Sequence, residues 1–420
     1  MLLLNNPWWK TGSISKEKAK EYLRFCFKEI RDLIKYRQIV ILTGLRRVGK
    51  TTLMYQTIRE LLKKTKPKKI LYFSFDEKLV EPITILKEYE KLTDVNWKKE
   101  RIYVFFDEIQ RLKDWSLKIK QIYDSLPNIK IFLSGSASLA IESDVIRNLA
   151  GRYFLREIPP LTLKEFFELY FKRELDNFEL YRDDLEKIFP YYIKKPFPEI
   201  VEWKNEKRVY EYIRELVIDK VVKIDIPEIF NKVRIHLLST LVNEFFSNPG
   251  EILNIDSLSK SLRIHKTIIE QHIDYLGFAK MIKLVKNYRP SIRATSRKLK
   301  KVYPYNVSLC FPFYPDLTKG EIYESLIASL DIETYWRKGN KEVDFIKFKD
   351  KKIIPIEVKA KEDLKKEDTQ NLVYFLKRYN IKEGIVVYLG ENRIKKIDNY
   401  KIKFVNIIDA LLSPMFLRWA

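Results

Sequence analysis

Short apolar runs alternate with amphipathic stretches through the first third of the chain. Each run is bounded by polar residues, and Arg101–Phe106 is unbroken enough to be typical of a parallel strand covered on both faces. The predicted strands are Gln38–Leu42, Lys69–Ser74, Arg101–Phe106 and Lys130–Leu133. Strands that alternate with helices predict an α/β fold with a doubly wound parallel sheet, whose ligands bind at the carboxyl ends of the strands.

A glycine-rich segment follows the first of these strands. Gly44–Thr52 reads GLRRVGKTT, a full match to the phosphate-binding pattern G-x-x-x-x-G-K-[S/T], and a helical stretch from Thr51 to Leu62 follows. Lys50 is expected to reach the β- and γ-phosphates and Thr51 to ligate Mg²⁺, whereas a plain glycine turn would need neither strand nor helix beside it. We therefore expect ATP and Mg²⁺ as cofactors, held by Gly44, Arg47, Val48, Gly49, Lys50, Thr51 and Thr52.

Two acids end the buried strand Arg101–Phe106. Asp107 and Glu108 would be costly there unless they have a function, because burying a charge without a partner is unfavourable. Asp107 is expected to hold the Mg²⁺ shell and Glu108 to polarise the attacking water. The alternative is a capping pair for the next helix.

Three further residues of this region are candidates for nucleotide chemistry. Ser134 and Ser136 follow a predicted strand, where they could contact the γ-phosphate or position water, or form an ordinary strand-to-helix turn. Arg152 could be an arginine finger that is supplied in trans by a second copy, or a solvated or salt-bridged arginine. Both pairs of alternatives stay open at this point.

Several motifs together resemble the prokaryotic, especially archaeal, AAA+-type ATPases of the STAND-related branch. They are Asn6-Pro7-Trp8-Trp9, the Gly44–Thr52 loop, Phe106–Gln110 with Asp114-Trp115, the Ser134–Ser136 turn, Gly151-Arg152 and the lid entry Leu161–Phe166. The resemblance covers roughly the first half of the chain. It implies a P-loop ATPase core over residues 1–160 and a helical lid over residues 161–230.

The pattern changes near residue 231 to that of a winged helix. A helix, a short turn and a helix, followed by two strand-like runs, is typical of this module, and the region also resembles the middle of the same family. The predicted elements are helices Val233–Ser247, Ser257–Leu262 (capped by Asp256) and His265–Leu276, and strands Met281–Val285 and Lys301–Tyr305. We place this domain at residues 231–305.

Candidate nucleic-acid contacts lie in this winged-helix region. The second helix of the pair exposes Lys266, Thr267 and Gln271, although Glu270 beside them would repel phosphate. The predicted wing is more basic, since Arg289, Arg293, Arg297, Lys298, Lys300 and Lys301 fall within 13 residues. Such a cluster can neutralise several DNA phosphates, while a solvated basic loop is the alternative.

The last third carries two carboxylates and a lysine on neighbouring predicted strands. Asp344 lies in Lys341–Ile346, and Glu357 and Lys359 are two residues apart on the next strand, so that both point to one face. Two carboxylates bind a hard divalent cation, and a nearby lysine can orient or deprotonate a water. With Glu324 on an upstream helix, the predicted order is α-β-β-β-α-β.

This pattern resembles the PD-(D/E)xK nuclease superfamily over roughly residues 318–410. The resemblance implies a restriction-endonuclease-like α/β domain, which we place at residues 306–420. It also implies that Asp344 and Glu357 are metal ligands, that Lys359 is the catalytic lysine and that Glu324 is an auxiliary acid. Members of the superfamily often keep the fold and lose the activity, so competence is left open.

The composition of the chain narrows the classes of molecule that it is expected to bind. The chain of 420 residues has 80 Lys and Arg against 57 Asp and Glu, a net charge of +23. This surplus favours nucleic acid before membrane, although a solubility or thermophile trait is the alternative. The two cysteines fit no metal or redox spacing and indicate a reducing cytoplasm, and no apolar run approaches the length of a membrane span.

Three functions follow, in decreasing order of support. The first is a DNA-directed, ATP-hydrolysing AAA+-type protein with a metal-dependent C-terminal nuclease. The second is an ATP-driven switch that binds DNA or protein and carries a catalytically dead nuclease-like module. The third, a protein-remodelling ATPase, ranks last because the sequence has no obvious aromatic–hydrophobic–Gly pore loop. A homo-oligomer stays open, and no protein partner is indicated.

Overall fold

The computed structural model describes residues 1–137, 147–289, 299–330, 332–349 and 352–412. The chain divides into two compact units. The first contains Met1–Pro160 and Ile224–Asn231, and the second contains Leu161–Lys223 and Lys232–Ala420. Residues 224–230, which the sequence placed at the end of the lid, and Asn231, which it placed at the start of the winged helix, are therefore part of the first unit.

The first unit is built on a five-stranded sheet in which every strand runs parallel to its neighbours. The strands are β1 (Ile39–Thr43), β2 (Ile70–Ser74), β3 (Ile102–Asp107), β4 (Ile129–Ser134) and β5 (Tyr153–Glu157), in the order β2-β3-β4-β1-β5. All residues of β1, β2 and β4 are buried, as expected of strands with helices on both faces. The predicted α/β fold with a parallel sheet is confirmed.

Helices connect these strands. Those of the first unit are Leu2–Asn5, Trp8–Thr11, Phe27–Asp32, Lys50–Leu62, Pro82–Thr93, Trp115–Ser125 and Ile226–Ile229. The helix Pro82–Thr93 begins with proline, whose missing N–H is tolerated in the first turn, and Asp94 follows it in the left-handed conformation. Because the strands are parallel, the carboxyl ends of β1 and β3 lie at the same edge of the sheet, on either side of β4.

The N-terminal segment covers the free edge of β2. The Asn6 side chain accepts from the N–H of Tyr72 (2.6 Å) and donates to its carbonyl (2.9 Å), as a neighbouring strand would. The indoles of Trp8 and Trp9 both donate to the carbonyl of Ile70, at 3.0 and 2.7 Å. An edge strand exposes unpaired backbone groups, so these side chains satisfy it and close it to other strands.

The second unit is built on a mixed sheet of nine strands. They are β6 (Glu251–Ile252), β7 (Ile282–Asn287), β8 (Lys300–Pro304), β9 (Thr334–Lys338), β10 (Lys341–Lys349), β11 (Lys352–Val358), β12 (Glu383–Tyr388), β13 (Arg393–Ile397) and β14 (Tyr400–Asn406). Their order is β13-β14-β12-β11-β10-β9-β7-β8-β6. The two predicted wing strands, β7 and β8, thus continue the sheet that holds β10 and β11.

The helices of the second unit occur in the predicted sequence of elements. They are Leu163–Phe171, Arg182–Lys194, Glu206–Glu211, Ile235–Ser247, Ile255–Leu262, Lys266–Phe278, Lys319–Ala328, Gln370–Tyr379 and Ile407–Leu412. Two helices precede β7 and β8, and the order α-β-β-β-α-β runs from Lys319 to Tyr388. One cap differs from prediction: Asn254, not Asp256, accepts from the N–H of Ser257 and begins the helix.

The first helices of the second unit share its main apolar core. Phe166 and Phe167 of Leu163–Phe171 and Ile188 of Arg182–Lys194 belong to the same buried cluster as Ile356 and Ile385 of the sheet. The capping box of Thr162 and Glu165 fixes the start of the first helix. Among the helices that the structure describes, none has the length and apolarity that crossing a bilayer requires.

Candidate functional site

The glycine-rich loop joins β1 to the helix Lys50–Leu62 and has the backbone that its sequence demands. Gly44 has φ 139°, and a Cβ at this position would lie 2.3 Å from the carbonyl oxygen of Ile158. Gly49 has φ 95° immediately before the helix. Both positions therefore require glycine, and the curled loop turns its backbone toward the helix N-terminus, where anions bind.

Lys50 is held inside this loop. Its side chain is buried, and Nζ donates to the carbonyls of Gly44 (3.0 Å) and Leu45 (2.9 Å). Burial lowers the pKa of Lys50, and the carboxylates of Glu108 and Asp107 oppose that change. The ammonium is thus positioned by the backbone that would surround phosphates.

Asp107 is the centre of a buried hydrogen-bond network at the end of β3. It accepts from the hydroxyls of Thr51 (2.8 Å) and Tyr72 (2.8 Å) and from that of Ser134. Burial and the neighbouring Glu108 raise the pKa of Asp107, while the three hydroxyls lower it. The Thr51 hydroxyl and the Asp107 carboxylate, predicted as magnesium ligands, are in direct contact.

Glu108 has the left-handed conformation, with φ 53°. Its backbone N–H donates to Ser134 Oγ (3.3 Å), and its Oε2 accepts from Gln110 Nε2 (2.6 Å). Ser134 therefore orients both acids, which gives it a role in the site through Asp107 and Glu108 rather than through a phosphate contact in this structure.

The remaining loop residues divide by burial. Val48 is fully buried, whereas the side chains of Thr52 and Arg47 reach the partly exposed and exposed surface. Ser136 is buried two residues beyond β4.

Sequence reasoning missed Arg24. Its guanidinium donates to the carbonyls of Val48 (3.0 Å), Pro159 (2.8 Å) and Pro160 (3.2 Å), and these hydrogen bonds fix the backbone of the glycine-rich loop.

A second missed residue is Asp225, in the segment that returns to the first unit. Its carboxylate accepts from Nε (2.8 Å) and from Nη2 (2.5 Å) of Arg46, which lies between the two loop glycines. The Asp225 side chain is only 3% exposed. No local pattern could have found this pair, because 179 residues separate its members.

Arg152 lies at the other edge of the sheet. It precedes β5, and its carbonyl accepts from the N–H of Ile39 at the start of β1. Its guanidinium binds both oxygens of Asp124, at 2.8 and 3.2 Å. Within one chain it is therefore a salt-bridged residue, and a contribution in trans stays a prediction.

The residues present fit a nucleotide with a divalent cation. The loop leaves no room for a Cβ at Gly44, Lys50 is a buried cation, and the hydroxyl and carboxylate of Thr51 and Asp107 are hard oxygen donors. A separate cleft of about 370 Å³ is lined by Glu228 and by residues that follow β2 and β3, among them Asp76, Gln110 and Arg111, rather than by the glycine-rich loop. Arg111 forms a salt bridge with Asp76 there.

The second unit brings the predicted nuclease-like residues to one place. Asp344 on β10 accepts from the N–H of Val358 on β11 (2.8 Å), and Lys359 Nζ donates to Oε1 of Glu357 (2.6 Å). Burial and the charge of Asp344 raise the pKa of Glu357 well above its usual range. Burial opposes the charged form of Lys359, but Asp344 and Glu357 outweigh it and raise the pKa of Lys359 to about 12.

Glu324 joins this cluster from the helix Lys319–Ala328. Its Oε2 accepts from the hydroxyl of Tyr303 (3.0 Å) and lies 4.0 Å from Lys301 Nζ. Burial and the charge of Asp344 raise the pKa of Glu324 to about 7. Lys301 also forms a salt bridge with Glu342. We refer to Lys301, Tyr303, Glu324, Glu342, Asp344, Glu357 and Lys359 as the carboxylate cluster.

Most carboxylates of the carboxylate cluster already have hydrogen bonds or ion pairs with other groups of the same unit. In the part of the chain that the structure describes, no three side chains of His, Cys, Asp or Glu converge as a ready metal centre. Glu357 Oε2, however, is buried and has no hydrogen-bond partner among the described residues. An orphaned buried carboxylate oxygen is a donor that a divalent cation satisfies, so the donor set fits a metal that rearranges Lys359 on binding.

The candidate nucleic-acid residues have different surroundings. Lys266 forms a salt bridge with Asp256, while Thr267 and Gln271 are exposed on the same helix. Arg289 donates to the carbonyl of Arg337 (2.7 Å). Arg293, Arg297 and Lys298 lie outside the described residues. Lys301, counted by sequence in the basic wing, is buried in the carboxylate cluster, so that part of the expectation is wrong.

Family comparisons divide the chain into three parts. Residues 36–167 match a family described as an AAA domain. Residues 185–312 and 319–408 match two families described as domains of unknown function, DUF8612 and DUF4143. The first unit therefore contains an AAA-type P-loop ATPase domain, as the motifs implied.

Relatives have been found in archaea and bacteria. Two uncharacterised proteins of Methanocaldococcus jannaschii are each 27% identical to this chain. The first alignment covers 76% of this chain and 74% of that protein, and the second covers 89% of this chain and 82% of that protein. An uncharacterised protein of Haemophilus influenzae is 24% identical over 91% of this chain and 97% of its own. The Walker-type ATPase paby2304 of Pyrococcus abyssi aligns with a TM-score of 0.47 and 14% identity, over 72% of this chain and 99% of that one.

Proposed function

We infer that the AAA-type domain binds and hydrolyses ATP and that the whole chain acts on DNA as an ATP-dependent protein with a metal-dependent nuclease. The observation that carries the first part is the direct contact of Thr51 with Asp107, beside the buried ammonium of Lys50. These groups are the donors and the cation that a magnesium-bound triphosphate requires.

Each residue of the site has a defined task in this proposal. Lys50 and the backbone N–H groups of Gly44–Thr52 bind phosphate oxygens, and Thr51 and Asp107 hold Mg²⁺. The cation supplies charge neutralisation for the phosphates. Glu108 accepts a hydrogen bond from the attacking water and orients it, while Gln110 and Ser134 fix the position of Glu108.

The nuclease assignment rests on the carboxylate cluster. Asp344 and Glu357 lie on adjacent strands with Lys359 beside them, and Glu324 faces them from a helix. In this proposal the three carboxylates hold Mg²⁺ or Mn²⁺, and Lys359 steadies the negative charge that develops on the scissile phosphate. Lys359 must then exchange its hydrogen bond to Glu357 for one to the phosphate.

DNA is the proposed substrate because of charge. The net charge of +23 favours a polyanionic partner, and exposed Thr267 and Gln271 lie on the second helix of a helix-turn-helix order. Arg152 completes the site of a second copy only if the protein is an oligomer, which sedimentation with and without ATP would establish.

The decisive experiment compares DNA cleavage in the wild type and three variants. Labelled single-stranded, duplex and branched DNA are incubated with Mg²⁺ or Mn²⁺, with and without ATP. Asp344→Asn should abolish cutting and leave ATP hydrolysis within about twofold, since the two sites use different residues. Asp368→Asn is the matched control, because Asp368 is an acid of the same unit that pairs with Lys361 (2.7 Å) instead.

Lys50→Ala separates the role of ATP. Loss of ATP hydrolysis with cleavage retained makes ATP a regulator or motor, and loss of both makes it part of the cutting cycle. Cleavage that persists unchanged in Asp344→Asn would refute the nuclease site. ATP hydrolysis that persists in Lys50→Ala would refute the nucleotide site.

One observation favours a second function, the ATP-driven switch with a dead nuclease-like module. Lys359 already neutralises Glu357, and no group of three metal-ligating side chains is ready among the described residues. The switch predicts no cutting by the wild type with either metal, together with DNA retention that changes when ATP is added.

A further inference from the structure

The phosphate-binding loop contains an arginine that the usual description of its pattern does not use. Arg46 follows Gly44 by two residues, and its side chain is only 21% exposed. Its Nε and Nη2 both bind the carboxylate of Asp225. This parallel pair of N–H donors is the arrangement by which arginine also binds phosphate, because the two anions present oxygens at similar spacing.

Asp225 lies in the electrostatic neighbourhood of the nucleotide site. Burial is the largest influence on the pKa of Lys50, and the carboxylates of Glu108, Asp107 and Asp225 act against it. The pKa of Arg46 is raised by its hydrogen bond to Asp225 and by the charges of Asp225 and Glu108, while burial opposes this change. A buried carboxylate therefore lies against the phosphate-binding loop, through its contact with Arg46, and its charge opposes that of an arriving phosphate.

We propose that Arg46 is a phosphate-binding residue of the nucleotide site and that Asp225 is a built-in anion that occupies it until nucleotide displaces it. The proposal rests on ATP binding by the first unit and adds a residue and a competitor to it. Asp225 stabilises the empty loop by pairing Arg46, and it weakens nucleotide binding by the same interaction. The ligand class is a nucleoside di- or triphosphate.

The segment that carries Asp225 is suited to leaving. Residues 224–231 belong to the first unit, but the chain on both sides of them belongs to the second. Besides Asp225, the segment has one other described ion pair with the first unit, Glu228 with Arg111 at a looser 3.7 Å. Because its described ion pairs are with two arginines, the segment can be released when phosphate takes one of them, provided that buried Ile226 is exposed at the same time.

The test measures the affinity of the purified full chain for a fluorescent ATP analogue, with unlabelled ATP and ADP as competitors. Asp225→Asn keeps the size of the side chain and removes its charge, so the population with a free Arg46 rises and affinity should increase about tenfold. Arg46→Ala should weaken binding about tenfold, because a charge-assisted phosphate contact is lost. Glu29→Gln is the control, since it removes the acid of another arginine pair of the first unit, with Arg156 (2.6 Å), without touching Arg46 or residues 224–231.

The outcomes are distinct. Tighter binding by Asp225→Asn and weaker binding by Arg46→Ala, with binding by Glu29→Gln unchanged, support the proposal. Wild-type binding that is unaltered in Asp225→Asn or in Arg46→Ala overturns it and leaves the proposed ATPase intact. Binding by none of the proteins overturns both.

A measurement on the wild type covers the case in which a variant fails to fold. Hydrogen exchange of the amides in residues 224–231 should become at least several-fold faster when ATP is added, because displaced Asp225 no longer anchors the segment. Unchanged or slower exchange in nucleotide-saturated protein would overturn the displacement.

Discussion

Glu324 is the residue whose charge is most easily tested in the carboxylate cluster. It is buried among other acids, and its hydrogen bond from Tyr303 and its distance to Lys301 do not fully compensate for that environment. Its pKa is accordingly raised to about 7 by burial and by Asp344. The group is thus protonated in the folded protein at pH values where it is ionised in the unfolded chain.

This difference predicts a pH dependence of stability. The folded pKa is the higher one, so the stabilising contribution is complete below the unfolded pKa of 4.5 and is lost as pH rises through about 7. Between pH 5 and pH 8, this group should lower the free energy of unfolding of the wild type by about 3 kcal/mol, and Glu324→Gln should not show this decrease. Chemical denaturation in EDTA at the two pH values measures the difference. Exposed Glu362→Gln should keep the wild-type profile, and an identical profile in Glu324→Gln would contradict the assignment.

The sequence predicts candidate site residues where a local pattern carries the chemistry. Lys50, Thr51 and Asp107 follow from a loop and from the end of an apolar strand, and the structure brings them together. Asp225 and Tyr303 were not identified. They act through partners 179 and 21 residues away, and neither has a neighbouring pattern that distinguishes it from an ordinary side chain.

At the scale of elements, the covered edge of β2 matters for the nucleotide site. Asn6 fixes the backbone of Tyr72, and the hydroxyl of Tyr72 is one of the three that bind Asp107. The N-terminal residues were noticed in the sequence only as part of a family resemblance. Their task depends on which strand lies at the edge, and strand order is a long-range property.

Asn6→Ala should therefore destabilise the first unit by about 2–3 kcal/mol, because it leaves the N–H and the carbonyl of buried Tyr72 without partners. Urea or guanidinium denaturation measures the change. Asn5→Ala, which removes an exposed hydrogen bond to Glu77, should alter stability by less than about 0.5 kcal/mol. Equal losses in the free energy of unfolding for the two substitutions would show that the contact of Asn6 with β2 stabilises the protein no more than an exposed hydrogen bond does.

Strand partners were the least predictable feature of the second unit. The positions of β7, β8, β10 and β11 agree closely with the expected strands, since apolar periodicity is local. The pairing of β7 with β9, which joins the predicted wing to the nuclease-like strands, was not expected. Periodicity fixes which face of a strand is buried, but many partners satisfy the same face.

At the scale of the whole molecule, the positive charge predicts a strong salt dependence of DNA binding. Replacing Arg293, Arg297 and Lys298 together with Gln should lower the slope of log K against log salt by about 2–3 units if all three neutralise phosphates. Fluorescence anisotropy titrations at salt concentrations from about 50 to about 300 mM measure the slope. The control replaces Lys63, Lys64 and Lys66, three exposed lysines of the first unit, and a slope that falls equally in both triple variants would contradict a dedicated DNA surface.

The first unit is discontinuous along the chain, and this has a consequence for its synthesis. Asp225 follows Pro160 by 65 residues, so the ribosome completes the sheet and the phosphate-binding loop several seconds before it delivers their last segment. During that interval Arg46 has not yet met its carboxylate. Under the proposed competition between Asp225 and phosphate, a nascent chain presents its loop in the form most receptive to nucleotide, and ATP can bind before translation ends.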